Sequence, residues 1–132
     1  YIVNIPRIDY DMAYVTLTQL LMSENRPDAI FATSDIFAIA ASKAAAHFHI
    51  KVPDELAIVG FDNISLLSAI ATPTITSLSQ PRFQMGYTAA DILFEAMHSK
   101  EPDSKPKHIL LGTELIIRES STLTALQQRS LL

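Results

Sequence analysis

The chain has 132 residues, 48% of them hydrophobic and 18% charged, and a net charge of −4. That is enough for one domain with a real core, and the composition is that of a soluble globular protein, not a disordered one. The acidic balance without a basic run excludes a nucleic-acid footprint within the chain, the absence of cysteine excludes disulfides and thiolate chemistry, and no apolar run approaches the ~20 residues of a membrane span.

The first residue is Tyr1, and it opens directly into the strand-like run YIVNI, with no signal peptide in view. The sequence therefore reads as the later part of a longer protein, with a cytoplasmic location expected. Tyr1 to Ile5 is predicted as a short strand closed by Pro6. Asp9 or Asp11 can cap the helix that follows, in which Ala13, Leu17, Leu20 and Leu21 fall at helical spacing before Pro27 ends it. Ala29 to Thr33 is predicted as a second buried strand, with Ser34 and Asp35 at its carboxyl end as N-cap candidates.

The next helix, Ile36 to Phe48, is rich in alanine and apolar almost all round. One side should pack on the sheet; the other either lies in a deep core or meets a partner subunit. Leu56 to Val59 is a continuous apolar run, the mark of a strand covered on both faces. Gly60 is expected to turn the backbone, placing Phe61, Asp62 and Asn63 where the strand leaves the sheet. Ile64 to Thr72 is a short helix or an irregular segment. Thr74 to Ser79 alternates and is β-branched, hence a strand ending at Gln80, and Pro81 suits the start of a helix. Phe83, Gly86, Tyr87, Ala90, Leu93, Phe94 and Met97 share one face of that helix. Ser99 to Lys107 is a loop, His108 to Leu111 and Glu114 to Ile117 are short strands, and Arg118 to Leu132 reads as a polar tail in which Leu123 and Leu126 could dock.

Strands alternating with helices give an α/β fold with a mostly parallel sheet. In such sheets ligands bind outside the carboxyl ends of the strands. Four places converge there: Arg7 with Ile8, Ser34 with Asp35, Asp62 with Asn63, and Gln80. Carboxylate, amide and hydroxyl groups together suit a neutral ligand rich in hydroxyls or amides, because each ligand hydroxyl both donates and accepts. Asp35 is better explained as a helix cap, and Ser34 serves equally as cap or contact. Asp62 has the weakest structural explanation, since no helix pattern begins at it.

Enzyme readings lack their motifs. Three glycines, at 60, 86 and 112, form neither a dinucleotide fingerprint nor a P-loop, and no GxSxG elbow occurs. His47 and His49 do not share a helical face, so no metal site is expected, and no cofactor is implied. A phospho-receiver domain needs paired acids after the first strand, where this chain has Arg7 and Ile8.

Four ordered blocks carry a family likeness: AIFATSDIFAIAASKAA, VPDELAIVGFDNISL, TPTITSLSQPRFQMG and ELIIRESS. From about Pro27 to Ser121 the chain resembles the C-terminal half of the lactose-repressor-like (LacI/GalR) transcriptional regulators. The resemblance implies an incomplete α/β, parallel-sheet lobe of the periplasmic-binding-protein-like (type I) kind. It implies that residues 1–75 and 113–121 belong to the C-terminal lobe, 76–112 to the N-terminal lobe, and 122–132 to a tail. In this family an effector shifts two lobes about a hinge and so alters operator affinity. Position by position, Asp62 matches the acid of the GFD motif that hydrogen-bonds effector, Ser34 a small polar residue that reaches it, and Gln80 a strand-end glutamine that can contact a sugar. Ile8 stands where many members have a stacking aromatic, with Tyr10 a substitute nearby, and Asp35 completes the candidate ligand set. The helix with Ile36, Ile39, Ala40 and Lys43, and the segment with Leu66 and Ile70, match the family's dimer interface.

The implied partners are a sugar or nucleoside-like effector and a second copy of the chain, with no membrane. DNA would be reached only through a helix-turn-helix headpiece that this chain lacks. Opening strands of the N-terminal lobe are absent as well, so this stretch alone is expected to bind effector weakly or not at all. The alternative is a periplasmic sugar-binding protein of a transport system, which shares the fold. Residues ahead of Tyr1 would discriminate the two, as a headpiece or a signal peptide.

Overall fold

The computed structural model describes residues 2–98 and 106–122. Two compact units divide the chain, Tyr1–Ser79 with Leu115–Leu132, and Gln80–Glu114. The first is built around a sheet that, among the described residues, has four strands in the order β1 (Ala29–Phe31), β2 (Ala57–Phe61), β3 (Thr76–Ser79) and β4 (Glu114–Ile116). The β1–β2 and β2–β3 pairs are parallel, with Ile30 opposite Ile58 and Gly60 opposite Ser77. The α/β class and the parallel sheet are as the sequence predicts.

Helix α1 (Tyr10–Leu21) begins at Asp9, whose Oδ1 accepts from the Met12 amide at 2.9 Å, so of the two candidate caps Asp9 is the one used. Ala13, Leu17 and Leu21 recur at helical spacing and are buried against α2 (Asp35–His47), which crosses from β1 to β2. Small side chains at Ala38, Ala41, Ala44 and Ala45 are fully buried, so neighbouring elements approach this helix closely. Leu56, Ile58 and Ile75 complete the core from the sheet. Helix α3 (Ser65–Ile70) makes the connection from β2 to β3.

Four local expectations are corrected. Ile2 to Ile5 forms no strand: the segment and β1 both line a cavity of about 480 Å³, with Leu17, Leu20 and Phe37 also lining it. Asp28 and Ala32 bond to β2 on one edge of β1, and although the backbone groups of Ala29 and Phe31 face the other edge, no ladder forms between them and Ile2 to Ile5. Gly60 does not turn the chain; it lies inside β2, which runs on through Phe61, and its φ is not positive. His108 to Leu111 is not a strand. Arg118 does not open a loose tail, because Glu119–Ser121 forms a 3-10 turn with Ser120 fully buried. Leu123 and Leu126 lie outside the described residues.

The second unit contains α4 (Arg82–His98), starting just after Pro81. Its apolar face is present as the spacing predicts, but no described residue of the helix is buried, and Phe83, Tyr87, Leu93 and Phe94 are exposed. Lys107 pairs with Glu95 within this unit.

Candidate functional site

Strand β2 delivers Asp62 to the carboxyl edge of the sheet, and the turn is made by Asp62 and Asn63 themselves. Both adopt positive φ, 104° and 45°, a region that side-chain-bearing residues rarely occupy and that Asn and Asp enter more readily than most. The Asp62 amide donates to the Leu78 carbonyl at 3.0 Å, and the Asn63 amide donates to Ser77 Oγ at 3.0 Å. The turn is thus tied to β3 twice. Asp62 itself is half-buried.

Asp35 is the hub beneath this turn. Its carboxylate is 0% exposed and accepts three bonds: from the Ile64 amide at 2.6 Å and Ser68 Oγ at 2.8 Å on Oδ2, and from Ser77 Oγ at 2.5 Å on Oδ1. A buried carboxylate is tolerated when its lone pairs meet donors, and these three come from the turn after β2, from α3 and from β3. Asp35 is therefore neither a cap nor available to a ligand: it joins four elements, and its place in the ligand set is withdrawn. Gly60 answers to the same feature. A Cβ there would sit 2.3 Å from Asp35 Oδ1, so the strand has a glycine where the carboxylate passes.

Ser34 holds the N-cap position with extended backbone, yet its hydroxyl makes no capping bond. The cap explanation for that side chain falls away; Ser34 lies at the carboxyl end of β1 and, at 3% exposure, is buried. Gln80 follows β3 directly and opens the second unit; its carbonyl accepts from the Arg82 amide at 2.8 Å. Ile8 is exposed in the connection before α1. Tyr10 is the first residue of α1, and its ring stacks on Tyr14 at 6.3 Å. None of these residues lines the cavity beside β1, which is apolar and distinct from the strand-end site.

On the proposed dimer surface, Ala40 must be struck out: it is 0% exposed within its own chain, packed in the core. Ile36 and Ile39 are half-buried, while Lys43, Leu66 and Ile70 are exposed.

The segment Arg118 to Ser121 is bonded to the sheet and to the turn after β2. Arg118 Nη2 donates to Asn63 Oδ1 at 2.8 Å and Nη1 to the Ile75 carbonyl at 2.6 Å. Ser120 Oγ donates to the Ile58 carbonyl at 2.6 Å and accepts from the Thr76 amide at 2.9 Å. Glu119 Oε2 accepts from the Thr74 amide and hydroxyl at 2.9 and 3.0 Å, and these bonds lower its carboxyl pKa below the ordinary 4.5. The charged, hydroxylic run at the end of the described chain was the available signal.

Residues 3–121 match the periplasmic binding protein-like domain. The chain belongs to that family. Within it, the relatives are LacI-type regulators. The HTH-type transcriptional regulator MalR of Clostridium butyricum is 39% identical over 108 residues, covering 82% of this chain and 31% of the relative. The HTH-type transcriptional repressor CytR of Escherichia coli K12 is 37% identical over 105 residues, covering 80% and 30%. A solved complex of the transcriptional regulator CelR with cellobiose superposes with a TM-score of 0.74 at 31% identity, covering 85% of this chain and 33% of that one. The chain thus spans about a third of the length of these regulators and corresponds to the C-terminal part of their periplasmic-binding-protein-like domain. Those relatives are regulators, not enzymes.

Proposed function

We propose that this chain is the effector-binding and dimerisation region of a LacI-type regulator, with Asp62 as the principal contact to a sugar or nucleoside-like effector. The observation that carries the reading is the Asp62–Asn63 turn: an acid at the carboxyl end of a central parallel strand, in a backbone conformation of positive φ. Strained backbone of this kind clusters at ligand sites. An ionised carboxylate accepts from two ligand hydroxyls at once, which suits a polyol. Ser34, buried at the end of the neighbouring strand with a hydroxyl not used for capping, is a secondary member. Gln80 and the pair Ile8 and Tyr10 are secondary members. That CelR was solved with cellobiose supports the sugar class.

The first unit then corresponds to the C-terminal lobe and the second, Gln80–Glu114, to part of the N-terminal one, so that β3, expected at the start of the N-terminal lobe with residues 76–112, falls on the C-terminal side. Ile36, Ile39, Lys43, Leu66 and Ile70 form the homodimer face. DNA contact would come from a headpiece outside this chain.

The test is a thermal-shift screen of sugars, nucleosides and purines on the full-length protein, repeated with Asp62→Ala. Ligand at 100 times its Kd stabilises the folded state by about 2.7 kcal/mol, enough for a clear rise in Tm. The expected result is a rise with one compound class that Asp62→Ala removes, each rise being read against the unliganded Tm of the same protein. An undiminished rise in the variant would remove Asp62 from the site.

A further inference from the structure

The Asp62–Asn63 turn is held from two sides, and the second side belongs to a residue far along the chain. On one side Asp35 and Ser77 take the amides of Ile64 and Asn63. On the other, the guanidinium of Arg118 reaches Asn63 Oδ1 with one nitrogen and the Ile75 carbonyl with another. A planar fork that satisfies two acceptors fixes their spacing, which a lysine, a single point charge, would not do. The fork is itself anchored. The Arg118 amide donates to Thr76 Oγ1 at 2.8 Å, and the next turn is locked by Ser120 to β2 and β3. Arg118, 55 residues from Asn63 in sequence, thus ties the turn to the entry of β3. Residues at positive φ persist only where their surroundings over-determine them, and Asn63 is gripped through both its amide and its side chain.

We propose that Arg118 is a positioning residue for the effector site: through Asn63 it sets the turn that presents Asp62, without touching effector itself. The inference rests on the reading of Asp62 as an effector contact and adds the device that aims it. Arg118 also lies just past β4, where the chain re-enters the first unit after residues 80–114, so the aim of Asp62 is set by the returning segment.

Hydrogen exchange on the full-length protein without effector tests this. In Arg118→Met, the amides of Asn63 and Ile64 should exchange about tenfold faster or more, as expected on loss of a charge-assisted bond, while those of Leu17 and Ala41 keep their native rates. Unchanged rates at Asn63 and Ile64, or a uniform rise that includes Leu17 and Ala41, would overturn the proposal. Asn63→Ala supplies a second route that keeps the bonds of Arg118 to Ile75 and Thr76. It should loosen the same two amides, and adding Arg118→Met to it should bring no further local change; additive effects would show that Arg118 acts elsewhere. Because no effector is used, these results stand apart from the Asp62→Ala screen. Lost response in Asp62→Ala with native exchange in Arg118→Met sinks only the positioning role.

Discussion

Replacing Gly60 with alanine is the sharpest probe of the buried hub. The new Cβ would lie 2.3 Å from Asp35 Oδ1 and 3.3 Å from Ala38 Cβ, and approaches under 3.0 Å are essentially never seen. The carboxylate cannot swing aside cheaply, since Oδ1 is bonded to Ser77 at 2.5 Å and Oδ2 to Ile64 and Ser68. Overpacking a tight interior costs about 1–3 kcal/mol, and losing one bond to a charged acceptor adds about 1.5–3, so the expected destabilisation is on the order of 3–5 kcal/mol. Urea unfolding followed by circular dichroism and extrapolated linearly measures it. The clash predicts strong coupling to Asp35. With Asp35→Ala in place, the nearest remaining neighbour is Ala38, and Gly60→Ala should then cost only about 1 kcal/mol or less. A loss under about 1 kcal/mol for Gly60→Ala alone, or the same loss with and without Asp35, would refute the account.

Three further outcomes follow from separate features. Thr18 Oγ1 is buried with no hydrogen-bond partner among the described residues, so Thr18→Val should leave stability unchanged or raise it by about 1 kcal/mol in the same unfolding assay. Glu119 has a lowered pKa through its bonds to Thr74, so its contribution is present above about pH 4.5 and is lost as pH falls through the folded-state value. Glu119→Gln should flatten that part of the acid limb in a series of melts, and an unchanged slope below pH 4.5 would dismiss the clasp. Leu66 and Ile70 are 69% and 67% exposed on α3, and Ile70→Glu should convert a dimer to monomers in sedimentation velocity. A variant sedimenting as the native protein does would move the interface elsewhere.

What the sequence showed and what it hid follow from the range of the interactions involved. Leu56 and Ile58 announced a buried parallel strand because continuous apolar residues have few other uses; the run Ala29 to Phe31 announced its neighbour but not its burial, since Ala29 and Phe31 are exposed. The alternation at Thr76 to Ser79 and the spacing in α1 are equally local signals. Gly60 was misread because glycine next to an acid suggests a turn; its cause is a carboxylate 25 positions earlier that only the packing of α2 on β2 brings close. Asp35 looked like a cap for the same reason. Its donors lie 29 to 42 residues away, and nothing in its neighbourhood names them. Ala40 illustrates the opposite limit: an apolar stripe states that a face is covered, not whether the cover is the same chain or another. Ile2 to Ile5 has strand-like residues, but composition alone does not make a ladder: the segment and β1 line a common cavity and do not pair.

The choice of residues at 62 and 63 says what the turn is for. Glycine would take φ of 104° and 45° without steric penalty, whereas side-chain-bearing residues there store about 1–3 kcal/mol each. A turn shaped only to link β2 to α3 would be relieved by glycine at both places. Instead each side chain has a task that glycine cannot perform: Asn63 offers the oxygen that Arg118 grips, and Asp62 carries a half-buried carboxylate to the strand-end edge. The bonds from Leu78, Ser77, Asp35 and Arg118 offset the strain from both sides. A rigid support of this kind lets the acid meet a ligand without first losing conformational freedom, which is how pre-organisation raises affinity. On the proposed reading of Asp62 and Arg118, the same support makes the aim of Asp62 sensitive to where the segment around Arg118 lies. In a regulator whose effector works by favouring one arrangement of the chain over another, that sensitivity is the property the site needs.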